Sequence, residues 1–140
     1  MRDPSADGAC DGGFRTQRPQ VSELIVGIGV DVVDLARFER ALDRTPALAP
    51  RLFTEHEREG RALRSLAGRF AAKEAFMKAL GVSTGVQWHD MQVVSDEHGN
   101  PSLELGGAAA SLAEERGITR VHLSMTHDAG IAVAYVVAES

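Results

Sequence analysis

Residues 66–81 read LAGRFAAKEAFMKALG. At 3.6 residues per turn, Leu66, Phe70, Met77 and Leu80 fall on one side of a helix, and Gly81 stands where a helix-ending glycine belongs. Glu74 and Lys78 lie one turn apart beside that apolar stripe, next to the small Ala67 and Ala71. Lys73 falls inside the stripe, where a helix serving only to pack would not put an ammonium. Upstream, Thr54-Glu55-His56-Glu57 is a capping box, a hydroxyl followed three residues later by a carboxylate. The pattern predicts a helical region from there to Leu80, broken near Gly60.

Working outward, residues 24–33 (LIVGIGVDVV) are β-branched and punctuated by glycine, which suits a buried strand. Leu35, Phe38 and Leu42 then recur at helical spacing, and the helix must end before Pro46. Beyond the long helix, residues 90–94 and 102–105 read as two strands joined by the turn-rich run DEHGNP. Residues 108–116 form a short helix closed by Gly117. Val121, Leu123 and Met125 alternate with His122, Ser124 and Thr126, and Asp128-Ala129-Gly130 turns this strand into the apolar run 131–138. Strand, helices, hairpin, helix, hairpin is an α+β order with a mainly antiparallel sheet and one long helix.

The chain has 140 residues, 44% hydrophobic and 25% charged, the makeup of one ordinary globular domain. Aromatics are only 5%, so Val, Leu, Ile and Ala must build the core. A net charge of −5 argues against nucleic acid as a partner, and no apolar run is long enough to span a membrane. Cys10 is the only cysteine, so no intramolecular disulfide can form, and no secretion signal precedes it; both features point to the cytoplasm. Residues 1–22, rich in Gly, Asp, Arg and Pro without apolar period, read as a disordered extension ahead of a domain at 23–140.

Several motifs admit two readings. Gly27-Ile28-Gly29 lacks the third glycine of a dinucleotide fingerprint, so these glycines let a backbone or ligand approach the strand. Asp31 is a carboxylate in an apolar strand: it is either exposed at the strand end or holds a cation. Glu74 and Lys78 can form a surface ion pair, or supply a carboxylate for a metal and an ammonium for a phosphate. Arg37, Arg40 and Arg44 share one helix face, either an ordinary solvated face or a docking stripe for an acidic partner. His122 and His127 make no zinc pattern, and Ser124 with His127 lacks the rest of a hydrolase site.

In order along the chain, Gly27-Ile28-Gly29-Val30-Asp31, Phe53-Thr54 with Glu57, Arg69-Phe70-Ala71-Ala72-Lys73-Glu74-Ala75, Lys78-Ala79-Leu80-Gly81, Gly99-Asn100-Pro101 and Leu123-Ser124-Met125-Thr126-His127 resemble the holo-acyl-carrier-protein synthase family, the small bacterial 4′-phosphopantetheinyl transferases. The resemblance spans about residues 25–139; the N-terminal extension has no counterpart in it. It implies the 4′-phosphopantetheinyl transferase fold, a homotrimer with active sites at subunit interfaces, and a Mg²⁺-dependent reaction. In that reaction, phosphopantetheine passes from coenzyme A to a serine of an acyl carrier protein, releasing adenosine 3′,5′-bisphosphate. By residue-to-residue match it implies Asp31 and Glu74 as metal ligands, and Lys78 at the pyrophosphate. Arg69, Gly81 and His127 would contact coenzyme A, and Arg37 would be a carrier-docking arginine. Because acyl carrier proteins are acidic, the same implication favours the docking reading of Arg37, Arg40 and Arg44. Whether a carboxylate such as Asp31 or a water takes the serine proton stays open. A coenzyme A-binding module without catalysis is the rival reading.

Overall fold

A computed structural model describes residues 24–140. The expected extension over residues 1–22, with Cys10, lies outside the described residues. The elements are β1 (Ile25–Asp34), α1 (Leu35–Arg44), α2 (Leu48–Leu52), α3 (Glu55–Arg58), α4 (Leu63–Leu80), a 3-10 turn (Trp88–Asp90), β2 (Met91–Ser95), β3 (Pro101–Leu105), α5 (Gly107–Glu115), β4 (Arg120–Asp128) and β5 (Ile131–Glu139). They form a three-stranded sheet in the order β1-β5-β4 and a two-stranded β2-β3 hairpin, and every ladder among the described residues is antiparallel. The α+β order predicted from the sequence is the one observed.

The long helix α4 lies across the three-stranded sheet at very short range. A Cβ at Gly27 would land on the carbonyl oxygen of Ala79, and one at Gly29 on that of Ala75. The paired glycines therefore admit a helix backbone, one of the two approaches their placement allowed. The alanines belong to the same device. Ala67, Ala71, Ala72, Ala75 and Ala79 of α4 are buried, as are Ala132, Ala134 and Ala138 of β5. They let helix and sheet close on each other without large side chains. A chain so poor in aromatics gains its dispersion contacts by this close approach.

The helical region predicted from residue 54 breaks near Gly60 as expected, into two helices. Thr54 caps α3 through a complete capping box with Glu57, Gly60 turns the chain at φ 62°, and α4 begins at Leu63. The short α2 was not foreseen because Pro50 argues against a helix. It stands within the first turn, where a missing N–H deprives no helical carbonyl. Asp34 closes β1 and caps α1, accepting a 2.8 Å hydrogen bond from the Arg37 amide. Gly81 ends α4 at φ 75°, as its position requires.

The β4–β5 turn places Ala129 and Gly130 at φ 50° and 78°, a two-residue connection with both centres left-handed. Asn suits the first position far better than Ala. Ala129→Asn should raise unfolding free energy by roughly 0.5–1 kcal/mol, read as a higher midpoint in urea.

Candidate active site

Asp31 lies in β1 opposite Ala134 of β5, with its side chain 17% exposed. Facing it from α4 is Lys78, whose Nζ donates to Asp31 Oδ1 at 3.0 Å and to the Val30 carbonyl at 2.9 Å. Asp31 is thus neither a free strand end nor an unpartnered carboxylate; an ammonium covers one of its oxygens. The i,i+4 pairing of Glu74 with Lys78 is absent among the described salt bridges, because Lys78 reaches across to the strand instead. Glu74, one turn earlier, has its carboxyl held above the usual carboxylate range. Burial is the main cause and the Asp31 charge the second, with Lys78 opposing both.

Asp31 and Glu74 open onto a cleft of about 760 Å³ between β1, α1, α2 and the 3-10 turn. Its floor is aromatic. Phe38 and Phe70 stack with centroids 5.4 Å apart, Phe70 meets Trp88 at 5.5 Å, and Phe38 meets Phe53 edge-on at 6.4 Å. Arg37 stands at its rim, while Arg40 and Arg44 are exposed on α1. The structure therefore brings together Asp31, Glu74, Lys78 and Arg37.

Two of the remaining predicted residues lie elsewhere. Glu74 and Arg69 are five residues apart on α4, about 140° around its axis. Arg69 is 3% exposed, and one guanidinium nitrogen donates to Ser65 Oγ while Nε has no hydrogen-bond partner. Its basicity is lowered by burial and then by Arg61, against the pull of Glu57. Ser65 lines a second cleft, of about 260 Å³, with Arg64, Gly68, Thr126 and the exposed His127. The two clefts share no lining residue. Gly81 is exposed and does the work of a helix terminator.

Lys73, the ammonium within the apolar stripe, proves to be a structural residue. It is fully buried, donating to Glu57 Oε1 at 2.6 Å, the Leu52 carbonyl at 2.7 Å and the Trp88 carbonyl at 3.2 Å. Glu57 is equally buried and accepts in addition from the Thr54 amide and, at 3.1 Å, the Val93 amide. Both halves carried a signal, a capping-box glutamate and a lysine in an apolar stripe. Nothing local shows that they meet across 16 residues of chain.

Chemically, two carboxylates without a nitrogen or sulfur donor suit a hard cation such as Mg²⁺, which keeps several waters and takes phosphate oxygens as further ligands. The fit is also electrostatic: Asp31 raises the proton affinity of Glu74, and a divalent cation between them would relieve that repulsion. No cluster of three or more metal-ligating side chains occurs among the described residues, so an all-protein metal cage is not formed. A carboxylate from a strand and another from the helix crossing it, with an ammonium beside them, make an arrangement suited to phosphoryl transfer.

That class has a family. The model of the 4′-phosphopantetheinyl transferase superfamily matches residues 27–136, and the chain belongs to this superfamily. It is 63% identical over 116 residues to the holo-[acyl-carrier-protein] synthase of Leifsonia xyli subsp. xyli, across 83% of this chain and 98% of that protein. Among solved structures it is similar to the holo-[acyl-carrier-protein] synthase of Neisseria meningitidis, with TM-score 0.76 and 38% identity, covering 84% of this chain and all of that one. A Bacillus anthracis synthase solved in complex with coenzyme A (3′,5′-ADP) matches with TM-score 0.68 and 38% identity, over 83% of this chain and 97% of that one.

Proposed function

We infer that this chain is a holo-acyl-carrier-protein synthase: it moves the 4′-phosphopantetheine of coenzyme A onto a serine of an apo-acyl carrier protein and releases adenosine 3′,5′-bisphosphate. The observation that carries the reading is the meeting of Asp31 with Glu74 and Lys78 in a chain of this family. The test incubates the protein with coenzyme A, Mg²⁺ and an apo carrier, then weighs the carrier by mass spectrometry. A gain equal to phosphopantetheine is expected; binding without any gain, whatever the carrier, would make this a coenzyme A-binding module.

In this reading Asp31 and Glu74 hold Mg²⁺, which when bound neutralises charge on the pyrophosphate. Lys78 leaves Asp31 to meet a pyrophosphate oxygen, a short swing for a side chain that is 54% exposed. The carrier serine Oγ attacks the phosphorus bearing the pantetheine, and the protein's work is to position the reactants and stabilise charge. His127 contacts coenzyme A from the second cleft, and Arg69, bonded to Ser65 on that cleft's wall, contacts it from beneath. A buried guanidinium with Nε unpaired, close to another arginine, is a natural anion partner. Gly81 lets the coenzyme approach the end of α4, where a side chain would intrude.

The assembly we propose is a homotrimer. Ile28, Val30 and Val32 of β1 stand in register with Val137, Tyr135 and Val133 of β5, and Ile28, Val30, Val32 and Tyr135 are each more than 40% exposed. An apolar sheet face of this kind suits burial against another copy. The domain we propose runs over residues 23–140, in line with the start of β1 at Ile25 and of the family match at 27. No described helix is long and apolar enough to cross a membrane, and we place the enzyme in the cytoplasm.

Arg37, Arg40 and Arg44 are the proposed docking stripe for the acidic carrier, running from the rim of the main cleft along α1. Reversing Arg37 and Arg40 to Glu should raise the KM for the carrier about tenfold or more while that for coenzyme A stays nearly constant. The opposite pattern in steady-state kinetics would move the docking face elsewhere.

A further inference from the structure

We infer that the buried Glu57–Lys73 pair is a positioning device that, with His89, sets the two walls of the Asp31–Glu74 cleft at the separation a carrier protein needs. The inference rests on the transferase reading above. One wall is α2, through Leu48, Arg51 and Leu52; the other is Trp88. Neither can hold its own place. A five-residue helix and a three-residue 3-10 turn are too short to be stable without tertiary support.

Lys73 supplies that support to both at once. Its three N–H donors are used on three acceptors: the Leu52 carbonyl at the end of α2, the Trp88 carbonyl at the start of the turn, and Glu57. Glu57 in turn is fixed by the Thr54 and Val93 amides, so the ammonium sits at a point defined by α3 and β2. Beneath it lies the Phe53 ring, 5.2 Å from Nζ, which begins the aromatic row Phe53–Phe38–Phe70–Trp88 running to the cleft floor. At the surface a second tie joins the same walls, where His89 Nε2 donates to the Pro50 carbonyl at 2.7 Å.

Packing alone gives no reason for this choice. A fully buried ion pair is commonly replaced by apolar residues of similar volume without loss of stability. What methionines cannot do is hold two backbone carbonyls at fixed distances from one point. The charged pair is therefore read as geometry for the cleft, one face of α4 away from Glu74.

The double variant Glu57→Met/Lys73→Met separates the two roles. It should remain folded by circular dichroism, raise the KM for the carrier about tenfold and leave that for coenzyme A within about twofold. Emission from Trp88, the chain's only tryptophan, should shift to longer wavelength as the wall loosens. A folded double variant with an unchanged carrier KM would overturn the proposal. Should that variant fail to fold, His89→Ala decides, because His89 is exposed and its loss spares the core. It should raise the carrier KM about threefold, and no change would refute the wall assignment. A wild-type protein that modifies no carrier would defeat the transferase reading itself, whereas the Trp88 emission reports on the walls without any turnover.

Discussion

Glu74→Gln is expected to lower turnover by about 10²–10³, because a carboxylate lost from the proposed two-carboxylate metal site would remove several kcal/mol of charge stabilisation from phosphoryl transfer. The fold should survive and grow slightly more stable. Burial and the nearby Asp31 hold the folded Glu74 carboxyl above its ordinary value of 4.5. For an acid whose folded pKa is raised, the folded state binds the proton more tightly than the unfolded chain does. Stability is therefore lost as pH rises through the window between the ordinary and the raised value. Above that window the ionised Glu74 is a cost that glutamine does not carry. The metal-free variant should melt about 1–3 °C above wild type at pH 7.5, and the difference should vanish below pH 4. Mg²⁺ should raise the wild-type melting temperature and leave the variant unmoved. Full activity in Glu74→Gln, or a Mg²⁺ shift equal in both proteins, would remove Glu74 from the metal site.

That pairing of lost activity with gained stability belongs to a site assembled against its own electrostatics, and it explains which parts of the molecule could be read in advance. Periodicity placed α1, α4 and β4, in the spacing of Leu35, Phe38 and Leu42 and of Val121, Leu123 and Met125, while composition and turn residues placed the other strands and α5. β1, expected to be buried, keeps Ile28, Val30 and Val32 exposed. Capping chemistry placed Thr54 and Gly81 for the same local reason. The two glycines of β1 and the alanines of α4 were visible separately, but their interlocking is a contact between distant segments with no local sign.

At the site the division is the same. Asp31, Glu74 and Lys78 stood out because charged groups in apolar surroundings need a reason, and the structure brings them together. Of Lys78's possible partners the sequence offers only its helical neighbour Glu74, since i,i+4 spacing is legible and a strand 47 residues away is not. Lys73 stood out because an ammonium in an apolar stripe must find acceptors, and those it finds are Glu57 and two carbonyls, which the sequence does not place. The small size of α2 hid it behind Pro50.

Mixing two impaired variants should restore activity, because one subunit does not bring all the proposed residues into a single cleft. Arg69 and Glu74 point about 140° apart around α4, and His127 opens onto a cleft that shares no lining residue with the one holding Asp31. A body as small as residues 24–140 has little surface with which to enclose coenzyme A and grip a carrier protein together. In the proposed homotrimer, a second copy docked through the exposed face of Ile28, Val30, Val32 and Tyr135 would bring its His127 to the first copy's Glu74. His127→Ala alone should lower kcat/KM for coenzyme A about 10–100-fold through lost phosphate contacts. Co-refolded in equal amounts with Glu74→Gln, it should form mixed trimers in which about one interface in four joins an intact Glu74 to an intact His127. Activity near a quarter of wild type is then expected, at least about twice that of either parent. Light scattering of the same sample should give three times the chain mass. Activity that stays at the mean of the two parents, in a mixture shown to exchange subunits, would place the whole site within one chain and leave the apolar sheet face to be explained by assembly alone.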